Sequence, residues 1–450
     1  MKKAPFILFF LFLPLIVCGQ NTREDLDKIF QDASVDLTSE VDGFNAYAEE
    51  ALEEYLKFEA QLREEYEAYK QKVMDEWGEE EMVESTRKVW VEYGEDDSSR
   101  TVVDFETGKV TVEVIADPDE DQDAVRSRLE EAVGNLISSK GRSLGFKSTV
   151  AEDLPITDEP IMNGQLDLAK YGVKVADIPQ KKVSSSLSKG GNLNLSRGSS
   201  SGSTAQPKTP SGPTMADKAK EKARQQAIAE SSTAKKPVEK IIVETEKQTV
   251  ASVNTKKGKK NIIKIEMELV EDHIPKRAEQ FKGMVRKHSK KFTVDEPLIY
   301  AIMEQESAFN PAAKSHVPAY GLMQLVPKSG GRDAYRYVHK QDVIPTAQYL
   351  YDPDNNIELG TGYLRLLMTT SFAKVEDPRC RMLCAIAAYN TGAGNVSRAI
   401  TGNTNISKAI PQINTMSYDQ LFNHLKRYLP HAETQDYIQK VTSKMQKYVR

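Results

Sequence analysis

Two glutamates stand two positions apart in "IMEQESAFNPAAKSHVPAYGLMQLV", residues 302 to 326, and either could serve acid–base chemistry. The pattern of "VDEPLIYAIMEQESAF", opening on Asp295 as an N-cap with Pro297 in the first turn, reads as a helix that sets Glu306 one turn beyond Ile302 and Met303. Its carboxyl then lies beside an apolar face near the helix end, where desolvation disfavours the charged form and raises the pKa. A glutamic acid held partly protonated near neutral pH suits general-acid cleavage of a glycosidic bond. Glu304 is turned away by about 200° of helix rotation, so the two cannot share one site, and it reads as a solvated or salt-bridged surface residue. Asn310-Pro311 is expected to stop the helix. Beyond it, Gly321 before an apolar run implies a close backbone approach, and Gln324, a single polar residue there, suits one wall of a cleft. "AIAAYNTGAGNV" then ends an apolar helix on Tyr389 and Asn390, an aromatic face and an amide at a helix end. Its glycines follow a helix where a phosphate loop would precede one, which sets phosphate binding aside.

In this order, "ESAFNP", "GLMQ", "AYNTGAG" and the closing "ETQDY" resemble the motif series of the Slt-type lytic transglycosylases, lysozyme-like enzymes that cleave bacterial peptidoglycan. The stretch from "EDHIPKRAEQF" to "ESAFNP", with "VWVEY" and "VVDFETGKVTVEVI" upstream, resembles the membrane-bound lytic murein transglycosylase C type. The resemblance spans the C-terminal region and most of the N-terminal one and leaves out a Ser/Gly/Pro-rich segment. It implies Glu306 as the sole catalytic acid with Ser307 as a supporting hydroxyl. It further implies Met323 and Gln324 as a wall of the sugar groove, Tyr389 and Asn390 as binders of the acetamido sugar, and Tyr437 as the tyrosine near the scissile bond. No metal or cofactor is implied.

A lone acid limits the mechanism. Inverting glycosidases hold a second carboxylate about 6.5–9.5 Å away and retaining ones about 5–5.5 Å away, while Asp333 and Glu358 sit outside the motifs. The resemblance implies that the substrate's own N-acetyl carbonyl takes the nucleophile's place and that the product is a 1,6-anhydro sugar. Two other readings stand beside it: a true hydrolase like goose-type lysozyme, and a wall-binding scaffold whose groove merely holds glycan.

These residues need elements to position them. The C-terminal region from residue 273 to 450 reads as mostly α-helical, with helices over "PKRAEQFKGMVRKHSKKF", 356 to 369, 379 to 389 and 433 to 448. The resemblance makes it a lysozyme-like catalytic domain. Residues 30 to 272 read as an α+β domain. Phe44, Tyr47, Ala51, Tyr55, Phe58, Leu62, Tyr66, Tyr69, Val73 and Trp77 recur at steps of three and four, the stripe of one long packing helix. "RKVWVEY", "RTVVDF" and "KVTVEVI" alternate as strands, the last two joined by a hairpin at Glu106-Thr107-Gly108-Lys109, and "DEDQDAVRSRLEEAVGNLI" reads as a helix. "KIIVETEK" and "NIIKIEMELV" are expected to rejoin this antiparallel sheet, which the resemblance implies to be curved. Before both lies an insertion at about 183–236, Ser/Gly/Pro/Thr-rich to Met215 and then Ala/Lys-rich with a short helix near 216 to 231. Its first part has almost nothing to bury and is expected to be flexible.

The chain has 450 residues, more than one domain's worth, and 61 basic against 66 acidic residues give a net charge of -5. That balance leaves no broad basic surface and argues against nucleic acid as a partner. "MKKAPFILFFLFLPLIVCGQ" has the layout of an export signal over residues 1 to 19. Two endings fit: cleavage after Gly19, or a lipoprotein box with Cys18 lipidated, in which case the protein is anchored to the outer membrane. Both place the chain outside the cytoplasmic membrane, in the periplasm, with peptidoglycan strands as its partner. The N-terminal domain is expected to position the catalytic one on the wall or against divisome or secretion partners. Cys380 and Cys384, one turn apart, read as small buried or half-buried thiols, and His273, His288 and His316 receive no ligand role.

Overall fold

The computed structural model describes residues 53, 56–142, 145–167, 170, 249–316 and 318–449. The export leader with Cys18, the start of the aromatic stripe, the insertion with its Ala/Lys-rich part, and "KIIVETEK" lie outside the described residues. Two compact units separate, one drawn from Met1–Lys70 and Ser148–Glu152, the other from Gln71–Lys147 and Asp153–Arg450. In the first, residues 56–70 are helical and Glu65 accepts hydrogen bonds from Ser148 and Thr149. In the second, residues 71–77 are helical.

Its sheet has five antiparallel strands, β1 (Val89–Tyr93), β2 (Ser99–Asp104), β3 (Lys109–Ala116), β4 (Thr249–Thr255) and β5 (Gly258–Glu268), in the order β1-β2-β3-β5-β4. Strand β5 returns after the insertion to pair with β3, as "NIIKIEMELV" leads one to expect. The alternation in the sequence fixes which side is buried. Trp90 lies opposite Val103, Val103 opposite Val110 and Val110 opposite Met267, so each strand adds one apolar side chain to a row on one face. Helix α1 (Gln122–Ser138), capped by Asp121 through the Ala124 N–H, contributes Leu129, Ala132, Val133 and Leu136 to the same apolar cluster. The hairpin turn falls where expected, with Gly108 at φ 78°, in the left-handed region that glycine enters without penalty.

After β5 the chain is helical: α2 (His273–Gln280), α3 (Lys282–Phe292), α4 (Glu296–Ser307), α5 (Arg332–His339), α6 (Ala347–Tyr351), α7 (Pro353–Leu366), α8 (Pro378–Thr391), α9 (Ala393–Thr401), α10 (Ile406–Ile413), α11 (Tyr418–Tyr428) and α12 (Ala432–Tyr448). Helix α8 buries Cys380 and the run Leu383–Ala388. A helix apolar on most sides must be enclosed, and α8 shares its core with Ile299, Ala301, Ile302 and Met303 of α4 and Ile438 and Val441 of α12. Cys380 and Cys384 are free, buried thiols.

Helix α4 ends earlier than Asn310-Pro311 would stop it. Its last residue is Ser307, and Ala308 and Phe309 reverse the chain with φ of 49° and 61°. Left-handed conformations at residues other than glycine cost about 1–3 kcal/mol each and persist where the surroundings over-determine them. Arg277 of α2 supplies that constraint. Its buried guanidinium donates from Nε to the Ala308 carbonyl (2.9 Å), from Nη1 to Gln165 Oε1 (3.0 Å) and from Nη2 to the Phe105 carbonyl (2.6 Å). Burial brings its pKa down to about 9. Ala308 and Ala312 also join the apolar cluster under the sheet, so the end of α4 is held against the strands.

Candidate active site

Glu306 sits in the last turn of α4, 5% exposed. Tyr437 of α12 donates from its hydroxyl to Glu306 Oε1 at 2.6 Å. Burial raises the Glu306 carboxyl to about 7, while the Tyr437 hydrogen bond and the Arg87 cation pull the other way. Glu306 is desolvated, as expected, and Ile302 and Met303 one turn earlier on α4 are fully buried. Tyr389 is a neighbour on the α8 side. Burial pushes its phenol well above the ordinary range, and the negative charge of Glu306 adds to this.

Glu304 is salt-bridged, as one of its two expected settings had it, but it is not at the surface. It is 4% exposed, and its carboxylate accepts from Lys444 (2.7 Å), Lys447 (2.9 Å) and the Tyr448 hydroxyl (2.6 Å), all on α12. Burial pushes its pKa up, but the donors from Lys444, Tyr448 and Lys447 outweigh that and hold it below the ordinary value. The two glutamates thus carry opposite shifts because three close donors outweigh burial at Glu304, while at Glu306 burial prevails over one tyrosine hydrogen bond and a more distant cation.

The loop after α4 is set by Gly321 and Asn356. Gly321 has φ 75°, and a Cβ there would lie 2.4 Å from the Leu350 carbonyl oxygen and 2.5 Å from Asn356 Nδ2, the close approach that the glycine implies. Asn356 clamps the loop, accepting from the Met323 N–H (2.7 Å) and donating to the carbonyls of Tyr320 (2.8 Å) and Leu350 (2.6 Å). Gln324, also left-handed at φ 49°, donates from Nε2 to the carbonyls of Ala313 and Gly321, and its buried Oε1 has no protein partner.

Two predicted site residues face inward. The Met323 side chain is fully buried, and a Cβ at Gly360 would fall 2.4 Å from its sulfur, so its thioether packs on α7. What Met323 offers the site is its carbonyl, which accepts from the Tyr389 hydroxyl at 2.8 Å. Ser307 is fully buried and its hydroxyl donates toward the carbonyls of Met303 (3.0 Å) and Leu322 (2.8 Å), clamping the end of α4 to the loop rather than supporting the carboxyl directly. Asn390 Oδ1 accepts from the Thr434 hydroxyl at 2.6 Å, which ties α8 to α12.

Sequence reasoning passed over Arg87, Glu433, Thr434 and Asn356. Glu433 and Thr434 lie inside "ETQDY", where their spacing to Tyr437 on one helix was the available signal. Arg87 had none. It precedes β1, yet its Nη1 lies 3.6 Å from Glu306 Oε2 and its Nη2 lies 3.1 Å from Glu433 Oε1. Among the described residues there is no group of three or more His, Cys, Asp or Glu that could hold a metal.

A buried acid at a helix end, a tyrosine on its carboxyl, and a glycine-led loop beside it reproduce the motif order in three dimensions. Residues 283–410 match the family model described as "Transglycosylase SLT domain". The match lies within the helical region. Residues 55–170 match the model "Membrane-bound lytic murein transglycosylase C, N-terminal domain". The SLT match includes Glu306, Gln324, Tyr389 and Asn390 and ends before Tyr437. Proteins named membrane-bound lytic murein transglycosylase C are similar to this chain: those of Sodalis glossinidius and Klebsiella pneumoniae are each 42% identical over 193 residues, 43% of this chain and 53% of theirs. The chain spans about half the length of these curated relatives. Among solved structures, lytic transglycosylase Slt of Pseudomonas aeruginosa is 29% identical with a TM-score of 0.29, covering 37% of this chain and 23% of that one. The 70 kDa soluble lytic transglycosylase of Escherichia coli is 24% identical with a TM-score of 0.30, covering 39% and 25%.

Proposed function

We propose that this protein is a peptidoglycan lytic transglycosylase that cleaves the β-1,4 bond between N-acetylmuramic acid and N-acetylglucosamine without water, leaving 1,6-anhydro-N-acetylmuramic acid ends. The carrying observation is Glu306 itself, a buried carboxyl with a pKa near 7 and a tyrosine hydroxyl on one oxygen. A group so poised is protonated often enough to act as an acid and ionised readily enough to act as a base.

In the first step Glu306 gives its proton to O4 of the departing N-acetylglucosamine, and the glycosidic bond breaks as the muramyl N-acetyl carbonyl oxygen closes on C1. The Glu306 carboxylate then takes the proton from the muramyl C6 hydroxyl. O6 attacks C1, the acetamido carbonyl is released, and the 1,6-anhydro ring forms with Glu306 protonated as at the start. Supplying the nucleophile from the same sugar gives the proximity that other glycosidases build with a second carboxylate. Tyr437 steadies Glu306. Gln324, with its free Oε1, and Tyr389 and Asn390 bind the sugars, and Met323 and Ser307 shape the loop behind them. No metal or cofactor enters these steps.

Residues 273–450 form the catalytic domain in this reading and residues 30–272 place it on the wall. The export signal delivers the chain to the periplasm, and lipid on Cys18 would anchor it to the outer membrane. Mass spectrometry of the mature N-terminus reads the anchor directly. Mass spectrometry of digested sacculi tests the reaction. Muropeptides lighter by one water than hydrolytic products are expected, and reducing ends throughout would replace this reading with hydrolysis.

A further inference from the structure

We infer that Arg87, which lies just before β1 and not in the helical region, is a positioning residue of the active site that holds Glu306 as a carboxylate between its two proton transfers. The inference deepens the proposed function and rests on it for the meaning of those transfers, though not for its test.

The placement of Arg87 is built, not incidental. The ladder between β1 and β2 sets Val89 opposite Asp104. Just before it, the Thr86 N–H donates to the Val89 carbonyl (2.8 Å) and the Phe105 N–H donates to the Lys88 carbonyl (2.9 Å), so the backbone on both sides of Arg87 is fixed. The Arg87 carbonyl itself accepts from Asn310 Nδ2 at 3.5 Å, in the turn that follows the helix of Glu306. The neighbouring cation is diverted, because Lys88 pairs with Glu106 in the turn after β2. Arg87 alone of the two turns its guanidinium to the carboxyl, 3.6 Å from Glu306 Oε2 and 3.1 Å from Glu433 Oε1.

The chemistry asks for such a group. Once the proton has gone to the leaving sugar, Glu306 is an anion inside an apolar wall, the state that burial opposes. Tyr437 gives one hydrogen bond to Oε1 and no charge. A guanidinium cannot lose its proton at working pH, so it stabilises the anion without competing as an acid. It is set beyond hydrogen-bond length and shared with Glu433, which tempers the effect. A full ion pair would leave Glu306 ionised from the outset and remove the acid. The charged and titratable groups that bear on Glu306 are Tyr437 and Glu433 from α12, Tyr389 from α8, and Arg87 and Lys88 from the segment before β1. Glu433 opposes Arg87, and Lys88 adds a weaker pull in the same direction as Arg87.

The test uses the full chain with carboxyl-labelled glutamate and follows the Glu306 titration by NMR, which needs no turnover, alongside the pH profile of sacculus cleavage. In Arg87→Gln the Glu306 midpoint should rise by about one pH unit, the low end for a lost charge within 4–6 Å, and the basic limb of the cleavage profile should move with it. Glu433→Gln should move both the other way, since it removes a repelling charge and frees Arg87. Arg87→Lys keeps the cation and should restore most of the shift. Midpoints unchanged in both Arg87→Gln and Glu433→Gln would overturn the inference, as would loss of cleavage in Arg87→Gln with the pH limb in place. Should Arg87→Gln fail to fold, Glu433→Gln and Arg87→Lys still decide the sign. If the wild type gives no anhydro product, the proposed function fails while the titration continues to report on Arg87.

Discussion

Tyr437 donates its hydroxyl to Glu306 Oε1 at 2.6 Å across a separation of 131 residues. That bond joins the last turn of α4 to the first turns of α12, and burial drives the Tyr437 phenol well above its ordinary range, so it stays a donor at any working pH. Replacing it by Phe removes a contact that lowers the Glu306 pKa. Tyr437→Phe is expected to shift the basic limb of the cleavage profile upward and to slow turnover by about 10–100-fold, the scale of a single lost charge-assisted hydrogen bond of about 1.5–3 kcal/mol. A slower rate with an unshifted limb would mean that Tyr437 acts on the substrate and not on Glu306.

Glu306→Gln should reduce cleavage by about 10⁴-fold, the upper end of what one acid–base group contributes, because the same carboxyl serves both steps. Binding of undigested glycan should persist. Cleavage within tenfold of wild type would remove Glu306 from the mechanism.

The wild-type rate should be level in mildly acidic solution and fall about tenfold per pH unit above the Glu306 pKa of about 7. Since one group is acid first and base second, no opposing limb from a second carboxylate is expected. A bell with an acidic limb that survives Glu433→Gln would point to another catalytic carboxyl.

The two neighbouring glutamates should affect stability with opposite signs. Glu306 has its folded pKa raised, so the folded state binds the extra proton between pH 4.5 and about 7 and stability falls as pH rises through that window. Glu306→Gln should therefore melt higher than wild type at pH 8 and lose the advantage toward pH 4. Glu304 has its folded pKa lowered, so its stabilising effect is present above the unfolded value and is lost as pH falls through the folded one. Glu304→Gln should lower stability at pH 8 by about 3 kcal/mol, the scale for breaking a buried ion pair by removing one partner, without moving the pH limb of cleavage. Thermal melts of both variants at the two pH values check the signs.

Gly321→Ala probes the loop. The new methyl would need to displace the Leu350 carbonyl or Asn356, at a φ of 75° that alanine adopts poorly. A loss of about 2 kcal/mol or more and weakened glycan binding are expected in chemical denaturation and binding assays. A wild-type midpoint would show that the loop can shift to accommodate the methyl.

The features legible along the chain are local ones. Steps of two drew the strands and the hairpin at Gly108. Steps of three and four drew α1, α4, α7, α8 and α12, and placed Ile302 and Met303 beside Glu306. Those patterns are readable because each depends on residues within one turn or one strand pair. The motif order likewise lay in the chain, and with it the SLT resemblance.

Tertiary structure decided the environment of each functional group, which is a sum over elements far apart in sequence. Nothing near Glu304 announced that Lys444, Lys447 and Tyr448 would enclose it, so a residue that looked solvent-facing is buried. Ser307 and Met323 kept their places in the motifs but turned inward, because the end of α4 and the loop at Gly321 pack on α7. The helix stopped at Ser307 because Arg277, reaching from α2 to the sheet, holds Ala308 in a left-handed turn that its own sequence does not favour. Arg87 arrives at Glu306 from a strand edge on the other side of the insertion. Charge and desolvation act through space, while sequence patterns act along the chain, and the properties of Glu306 belong to the first.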